Sequence, residues 1–351
     1  EYTTTEGSRK ITVKGNPNMA AIKVLMIGIR NPKKTSADAS DDGLAKCAQV
    51  WADEMRLTDF ILNKGEAATA NVTAQLADFG AVSISGNMYT PGFGSIENKV
   101  SERKREDLRQ YNLTSNFELG KFLPDALNIK VPMFAGYSET FITPQYDPLA
   151  PDLILKQELK TLPQNKQDSI KRIVVDYTER RSLNFTNVRK NKSKDAKKNH
   201  IYDIENWTAS YAYSQIYKRN INTEYNITKN YKGGLVWAYS PTPPNIRPLA
   251  KVKFLQSKYL LLVKDINFYP YPNQLGFATD VNRDFNVNKF RDVTAGDFII
   301  NPTYTKKITW NRNYTLGYNL TKDLKVDFTA TNQSRVMEPN GPIDNKQKED
   351  T

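Results

Sequence analysis

The feature that most narrows what this chain can become is a period of two over residues 202–239, YDIENWTASYAYSQIYKRNINTEYNITKNYKGGLVWAY. Odd positions hold Trp207, Tyr211, Tyr213, Tyr225, Trp237 and Tyr239, while even positions hold Asn206, Thr208, Ser210, Asn222, Glu224 and Asn226. Successive side chains of a strand point to opposite faces, so this spacing makes one greasy face and one wet face. A half-buried soluble sheet presents two such faces, and so does a barrel wall between lipid and water. The number of strands in this stretch stays open: three short ones, or two long ones with a polar loop through 220–230.

The same pattern recurs along the chain. Val72, Ala74 and Leu76 share a parity, as do Val82, Ile84 and Met88, then Leu113 and Phe117, with further strands over 131–143 and 183–188. Leu275, Phe277, Val281, Phe285 and Val287 resume it, and residues 254–263 read as a buried edge or a short helix. The clearest run sets Ile308, Trp310, Tyr314, Leu316 and Tyr318 against Thr309, Asn311, Asn313, Thr315 and Asn319, followed by a return strand through Val326 and Phe328.

Two segments differ in texture. Over 148–181 the apolar residues Leu155, Leu159, Leu162, Ile170, Ile173 and Val174 fall at helical spacing, broken by Pro163, with Asp152 and Asp168 as cap or first-turn residues. Over 1–62, strand patterns at 10–14, 22–30 and 47–60 suggest a small β-sandwich-like unit. Asp38, Ser40, Asp42 and Gly43 match half of a calcium-binding loop, but Gln49 stands where its bidentate Glu belongs. A solvated loop is the expectation there, with weak calcium binding as the alternative.

Composition excludes several classes. Mean hydropathy is −0.62, and no apolar run approaches the roughly 20 residues of a membrane-spanning helix. Barrels are untouched by that exclusion, since their strands turn only every second residue to lipid. The net charge of +12 invites nucleic acid, yet the one dense cluster, residues 189–198, comes without a nucleic-acid-binding motif and reads as a solvated loop. Cys47 is the only cysteine and reads as a buried, inert thiol; His200 is the only histidine. With HExxH, P-loop and GxGxxG patterns absent, the chain reads as a non-enzyme without metal or cofactor. Glu1 and the polar end EPNGPIDNKQKEDT read as cuts through something longer.

The wet face is mostly Asn, Thr, Ser and Gly, whereas a soluble sheet turns Lys and Glu to solvent. Small neutral polar groups suit the inner wall of a water-filled barrel. Tyr and Trp near strand ends suit an interfacial girdle. The candidate lumen-facing residues are Asn206, Thr208, Ser210, Asn222, Glu224, Asn226, Asn311, Asn313, Thr315 and Asn319. The candidate lipid- or partner-facing residues are Trp207, Tyr211, Tyr213, Tyr225, Trp237, Tyr239, Trp310, Tyr314 and Tyr318. Asn-x-Thr/Ser triplets, such as those at Asn71, Asn184 and Asn313, read as by-products of Asn and Thr sharing that face.

Four stretches, YTPGFGSIENKVSERKRED (89–107), TPQYDPLAPD (143–152), DYTERRSLNFTNV (176–188) and YDIENW (202–207), closely resemble the SprA/Sov family. Its members are outer-membrane translocons of the type 9 secretion system and serve gliding motility. The resemblance covers nearly the whole chain, and family members are several times longer. It implies a giant barrel at the bacterial cell surface that passes folded cargo with a C-terminal sorting domain. It also implies a smaller PorV-like barrel at a lateral opening and a separate plug protein. Roughly a dozen strands could form only an arc of such a wall.

The expected fold is therefore all-β: an antiparallel transmembrane β-barrel wall segment with a β-sandwich-like N-terminal unit and a helical insertion. Its parts are the soluble unit 1–62, barrel strands 63–148, the helical and basic insertion 149–200, barrel strands 201–334 and a polar tail 335–351. The rivals are another outer-membrane β-barrel transporter and a soluble all-β adhesin with its aromatic faces packed between two sheets.

Overall fold

The alternation becomes one antiparallel sheet of 11 strands. The structure, a computed structural model, describes residues 2–7, 9–15, 24–29, 44–45, 47–53, 64–99, 102–192, 200–250, 252, 261–292, 299–339 and 341. A separate hairpin comes first, β1 (Tyr2–Glu6) against β2 (Arg9–Val13), with Gly7 at φ +59° supplying the left-handed turn residue. The large sheet holds β3 (Ala67–Leu76), β4 (Gly80–Tyr89), β5 (Glu106–Glu118), the two-residue β6 (Ile129–Lys130), β7 (Pro132–Pro144) and β8 (Asp176–Lys190). It continues through β9 (Trp207–Arg219), β10 (Thr223–Tyr239), β11 (Gln274–Phe290), β12 (Thr303–Asn319) and β13 (Lys325–Met337). Strands adjacent in sequence pair in space, except that β6 pairs with the end of β8 and leaves β5 against β7. This is an up-and-down meander with β3 and β13 at its two edges. Those edges do not pair with each other, so the sheet is no closed barrel.

Residues 202–239 resolve into two long strands rather than three short ones. β9 and β10 meet at residues 220–222, where the Asn220 side-chain oxygen accepts from the backbone N–H of Asn222 (3.0 Å) and Thr223 (2.8 Å). That side-chain turn lets the chain reverse within three residues, and the expected polar loop beyond 222 is strand instead. The helical spacing forms α1 (Leu155–Thr161) and α2 (Gln164–Val174), with Pro163 at the N-terminal boundary of α2. Neither aspartate caps a helix: Asp152 lies before α1, and Asp168 accepts from Gln164 Nε2 (3.2 Å) inside α2. The short-helix alternative for 254–263 survives in part as α3 (Leu261–Lys264); residues 253–260 lie outside the described residues.

Three expectations for the N-terminal region change. Residues 24–29 and 47–53 form no strand and are exposed, with Met26 at 92% and Trp51 at 85%. Strand propensity alone does not make a ladder when no neighbour supplies hydrogen bonds. Cys47 is exposed rather than buried. Asp38, Ser40, Asp42 and Gly43 lie outside the described residues, as do residues 193–199 of the basic stretch.

The core is slight. Among the described residues the buried apolar side chains are Leu155, Val174, Val175, Phe285 and Val287. Ordering each backbone residue costs about 1–2 kcal/mol, which so few buried groups cannot offset across strands of up to 17 residues. An exposed apolar face on this scale marks a surface that something else covers.

Candidate functional surface

Directly opposed residues of paired strands share a face, so the registers fix which side chains stand together. Trp207 is opposite Trp237, which is opposite Phe277, which is opposite Tyr314. Two rows along the same face, Tyr211, Gly233, Val281 and Trp310 align in the same way. On the reverse face, Ser210, Gly234, Asp280 and Asn311 align. Of the aromatic side chains on the strands of this sheet, only Tyr89, Phe134 and Phe290 fall on the reverse face. The two sides are termed the aromatic face and the amide face below.

All nine residues expected to meet lipid or a partner stand on the aromatic face. Trp207, Tyr211, Trp310 and Tyr314 are exposed, Tyr211 at 43% and Trp310 at 42%, the other five are half-buried, and among the described residues no second sheet covers them. The sandwiching of aromatic faces that the soluble-adhesin alternative calls for is not seen among the described residues. The rings nonetheless form pairs, Tyr213 with Tyr231 at 5.0 Å and Phe277 with Tyr314 at 5.2 Å between centroids. Several of their polar ends are satisfied. Trp310 Nε1 donates to Thr279 Oγ1 (2.7 Å), Trp237 Nε1 to the Ile201 carbonyl (3.2 Å) and Tyr318 Oη to the Tyr269 carbonyl (2.9 Å).

Seven of the residues expected in a lumen, Thr208, Ser210, Asn226, Asn311, Asn313, Thr315 and Asn319, share the amide face. Asn226 and Asn311 bond across strands through their side chains, as do neighbours on that face. Asn311 Nδ2 donates to Asp280 Oδ2 (2.9 Å), which also accepts from Asn282 (3.1 Å), and Asn286 Nδ2 donates to Thr228 Oγ1 (2.7 Å). The other three depart from that face. Asn206 sits in a 3-10 turn before β9, 6% exposed, with its Nδ2 donating to the His200 carbonyl (2.7 Å). Asn222 lies in the β9–β10 turn, and its carbonyl accepts from the Arg291 N–H. Glu224 sits at a bulge between Thr223 and Tyr225, which breaks the alternation, and its carboxylate pairs with Lys289 at 2.8 Å.

The aromatic face is not apolar from end to end. Where β8 starts and β9 finishes, here the near end, Glu139 lies directly opposite Glu179. Tyr177 Oη donates to Glu139 (2.8 Å) and Glu179 (3.3 Å), Tyr137 Oη donates to Glu139 (2.8 Å), and Arg181 pairs with Glu179. Further along, Arg283 makes a two-toothed contact with Glu338 (2.7 and 2.9 Å), and Lys306 Nζ donates to the Pro339 carbonyl (3.2 Å). Charge thus appears on both faces, and what separates them is rings against amides and hydroxyls. The parity of Arg181, Arg283 and Lys306 with neighbouring aromatics was the sequence signal for this band; their scatter along the chain hid it.

The helical pair lies at the same near end. Burial, with the Asp147 carboxylate beside it, pushes the Glu158 carboxyl of α1 up from its ordinary range. At the far end the ion pair of Lys121 with Asp78 (2.5 Å) is solvent-exposed and ties the β5–β6 connection to the β3–β4 turn. Its hydrogen bond lowers the Asp78 carboxyl and raises the Lys121 ammonium.

Among the described residues there is no cluster of three His, Cys, Asp or Glu able to hold a metal. No described helix is long and apolar enough to cross a membrane, which says nothing about strands. No curated protein matches the chain. A family model, SprA_N, described as a motility related/secretion protein, matches residues 1–159, consistent with a segment of the SprA/Sov family.

Proposed function

We propose that this chain is an arc of the wall of a protein-conducting barrel in a bacterial outer membrane, serving type 9 secretion and gliding motility. The observation that carries this reading is the division of one open sheet into an exposed aromatic face and an amide face of small hydrogen-bonded groups. A wall between lipid and a water-filled conduit needs that asymmetry. A lumen that passes folded cargo must wet without adhering, and short, mostly neutral side chains, some of them already bonded across strands, offer a passing chain little to hold.

The charged band fits the same picture through strand length. A tilted strand crosses a membrane in about 9–11 residues, whereas β10, β11 and β12 each have 17. The ring-rich part of β10, residues 231–239, would span the hydrocarbon toward the far end, leaving the near end outside it at the headgroup boundary. Charge at the bilayer centre costs about 2–4 kcal/mol for Arg or Lys on a barrel; Glu139 and Glu179 stand in the row of Ile227, outside the span, and Arg283, opposite Tyr231, stands at its edge. Arg312 is the exception within the band, and it lies against the Trp310 ring at 4.1 Å and donates to Asn332 (2.6 Å). A PorV-like barrel, a plug protein and cargo with a sorting domain are the partners proposed.

Depleting the full-length protein tests the reading. Cargo should accumulate in the periplasm while unrelated outer-membrane barrels assemble as before. Cargo that still reaches the cell surface would contradict it.

A further inference from the structure

Between the helical pair and the aromatic face lies an open cleft of about 1130 Å³. α1, the end of α2, β5, β7 and the last residue of β9 build its walls. Six cationic side chains line it: Lys64, Arg109, Lys156, Lys160, Lys171 and Arg219. Asp107 is the only carboxylate among the lining residues, and Arg109 takes it at 3.1 Å. No described carboxylate stands within ion-pair distance of the remaining five. Arg219 Nε is buried without a hydrogen-bond partner, and its guanidinium lies 5.1 Å from the Tyr177 ring centroid. The rest of the wall is mostly apolar or aromatic, with Tyr111, Phe141, Ile154, Leu155, Leu159 and Val175, and carries a few neutral polar threonine and glutamine side chains.

Lysines scattered over a helix surface need no ligand, because water solvates each one. Here they converge with two arginines on one concavity that has a greasy floor. Like charges so arranged favour an anion among them, and the floor favours a molecule with an apolar portion. We infer that the cleft holds the phosphorylated headgroup of a membrane lipid, with Lys156, Lys160, Lys171 and Arg219 on the phosphate and the chains along Phe141 and Leu159. The inference rests on the membrane reading above, which places the near end at the bilayer boundary, where basic pockets meet anionic headgroups.

The test uses full-length protein in neutral detergent, stripped of lipid and titrated with phosphatidylglycerol, lipid A, phosphatidylcholine or inorganic phosphate. Phosphatidylglycerol or lipid A should bind, the tighter of the two identifying the leaflet, and phosphatidylcholine should bind at least about tenfold more weakly. Lys156→Gln, Lys160→Gln and Lys171→Gln together should weaken the anionic lipid by about tenfold with β-sheet circular dichroism unchanged. Lys166→Gln, on the exposed side of α2, should leave it unaltered. Equal binding of both phospholipids, or full affinity in the triple variant, overturns the site. Inorganic phosphate that displaces the lipid at matching concentration overturns the lipid as its occupant. A chain recovered without detergent would instead bring down the membrane reading itself.

Discussion

Secretion by the full-length protein should collapse when Asn311, Asn313 and Thr315 are replaced together by leucine, and stay near its normal level with Trp310→Phe. The three residues stand in a row on the amide face of β12. Asn311 is one of two side-chain donors to Asp280, and removing a partner from a charged group costs about 1–3 kcal/mol. Thr315 stands over Gly276, whose missing side chain gives it room. Three leucines here would add an apolar patch on the order of a few hundred Å², the size at which surfaces begin to bind other proteins. Cargo would adhere to it. Trp310→Phe keeps a ring on the aromatic face and loses the bond to Thr279, worth about 0.5–1.5 kcal/mol. Cargo quantified in culture supernatant decides the matter, and equal secretion by both variants would count against the lumen assignment.

The largest structural effect is expected at Gly80. A Cβ there would land on the Asn116 carbonyl oxygen and within 2.7 Å of the Phe117 ring. That carbonyl belongs to the β4–β5 ladder, with Ala81 opposite Asn116, so it cannot retreat without unpairing the strands. The ring cannot retreat freely either, since Phe117 stacks on Phe79 at 5.1 Å and Phe79 meets Phe122 at 4.7 Å. Gly80→Val should therefore cost at least the usual overpacking penalty of about 1–3 kcal/mol. β3 is held to the sheet through β4, so both should open together, seen as faster hydrogen exchange over residues 67–89. Gly233→Ala is the control. Its Cβ would meet nothing within 4 Å, and the change should be neutral or stabilise by about 0.4–1 kcal/mol. Exchange altered equally by both would refute the packing account.

Parity carried most of what was legible in the chain. The rule that placed Trp207 and Trp237 on one side also placed Trp310, Tyr314 and Tyr318 there, because the one shift in register from β9 to β12, between Thr223 and Tyr225, lies at the strand end away from these rings. Helical spacing found α1 and α2, because Pro163 and the leucine interval are local signals. The misses have two causes: a local turn or bulge, or a partner distant in sequence. Asn206 and Glu224 obeyed parity on paper, but a turn and a bulge took them off the face. The apolar run at 24–29 looked like a buried strand, and no ladder forms there. Glu139 and Glu179 become neighbours only through the β7–β8 register. The basic cleft gathers residues from Lys64 to Arg219, which no window along the sequence could join.

The central claim is that one face of this sheet meets water and the other meets lipid or protein. Cysteine scanning along β12 in the full-length protein, in a cysteine-free background and in native outer membranes, measures this directly. With a water-soluble maleimide, cysteines at 311, 313 and 315 should label and those at 310, 314 and 316 should resist, giving a period of two that detergent abolishes. Labelling indifferent to parity, or strongest on the aromatic positions, would contradict the account.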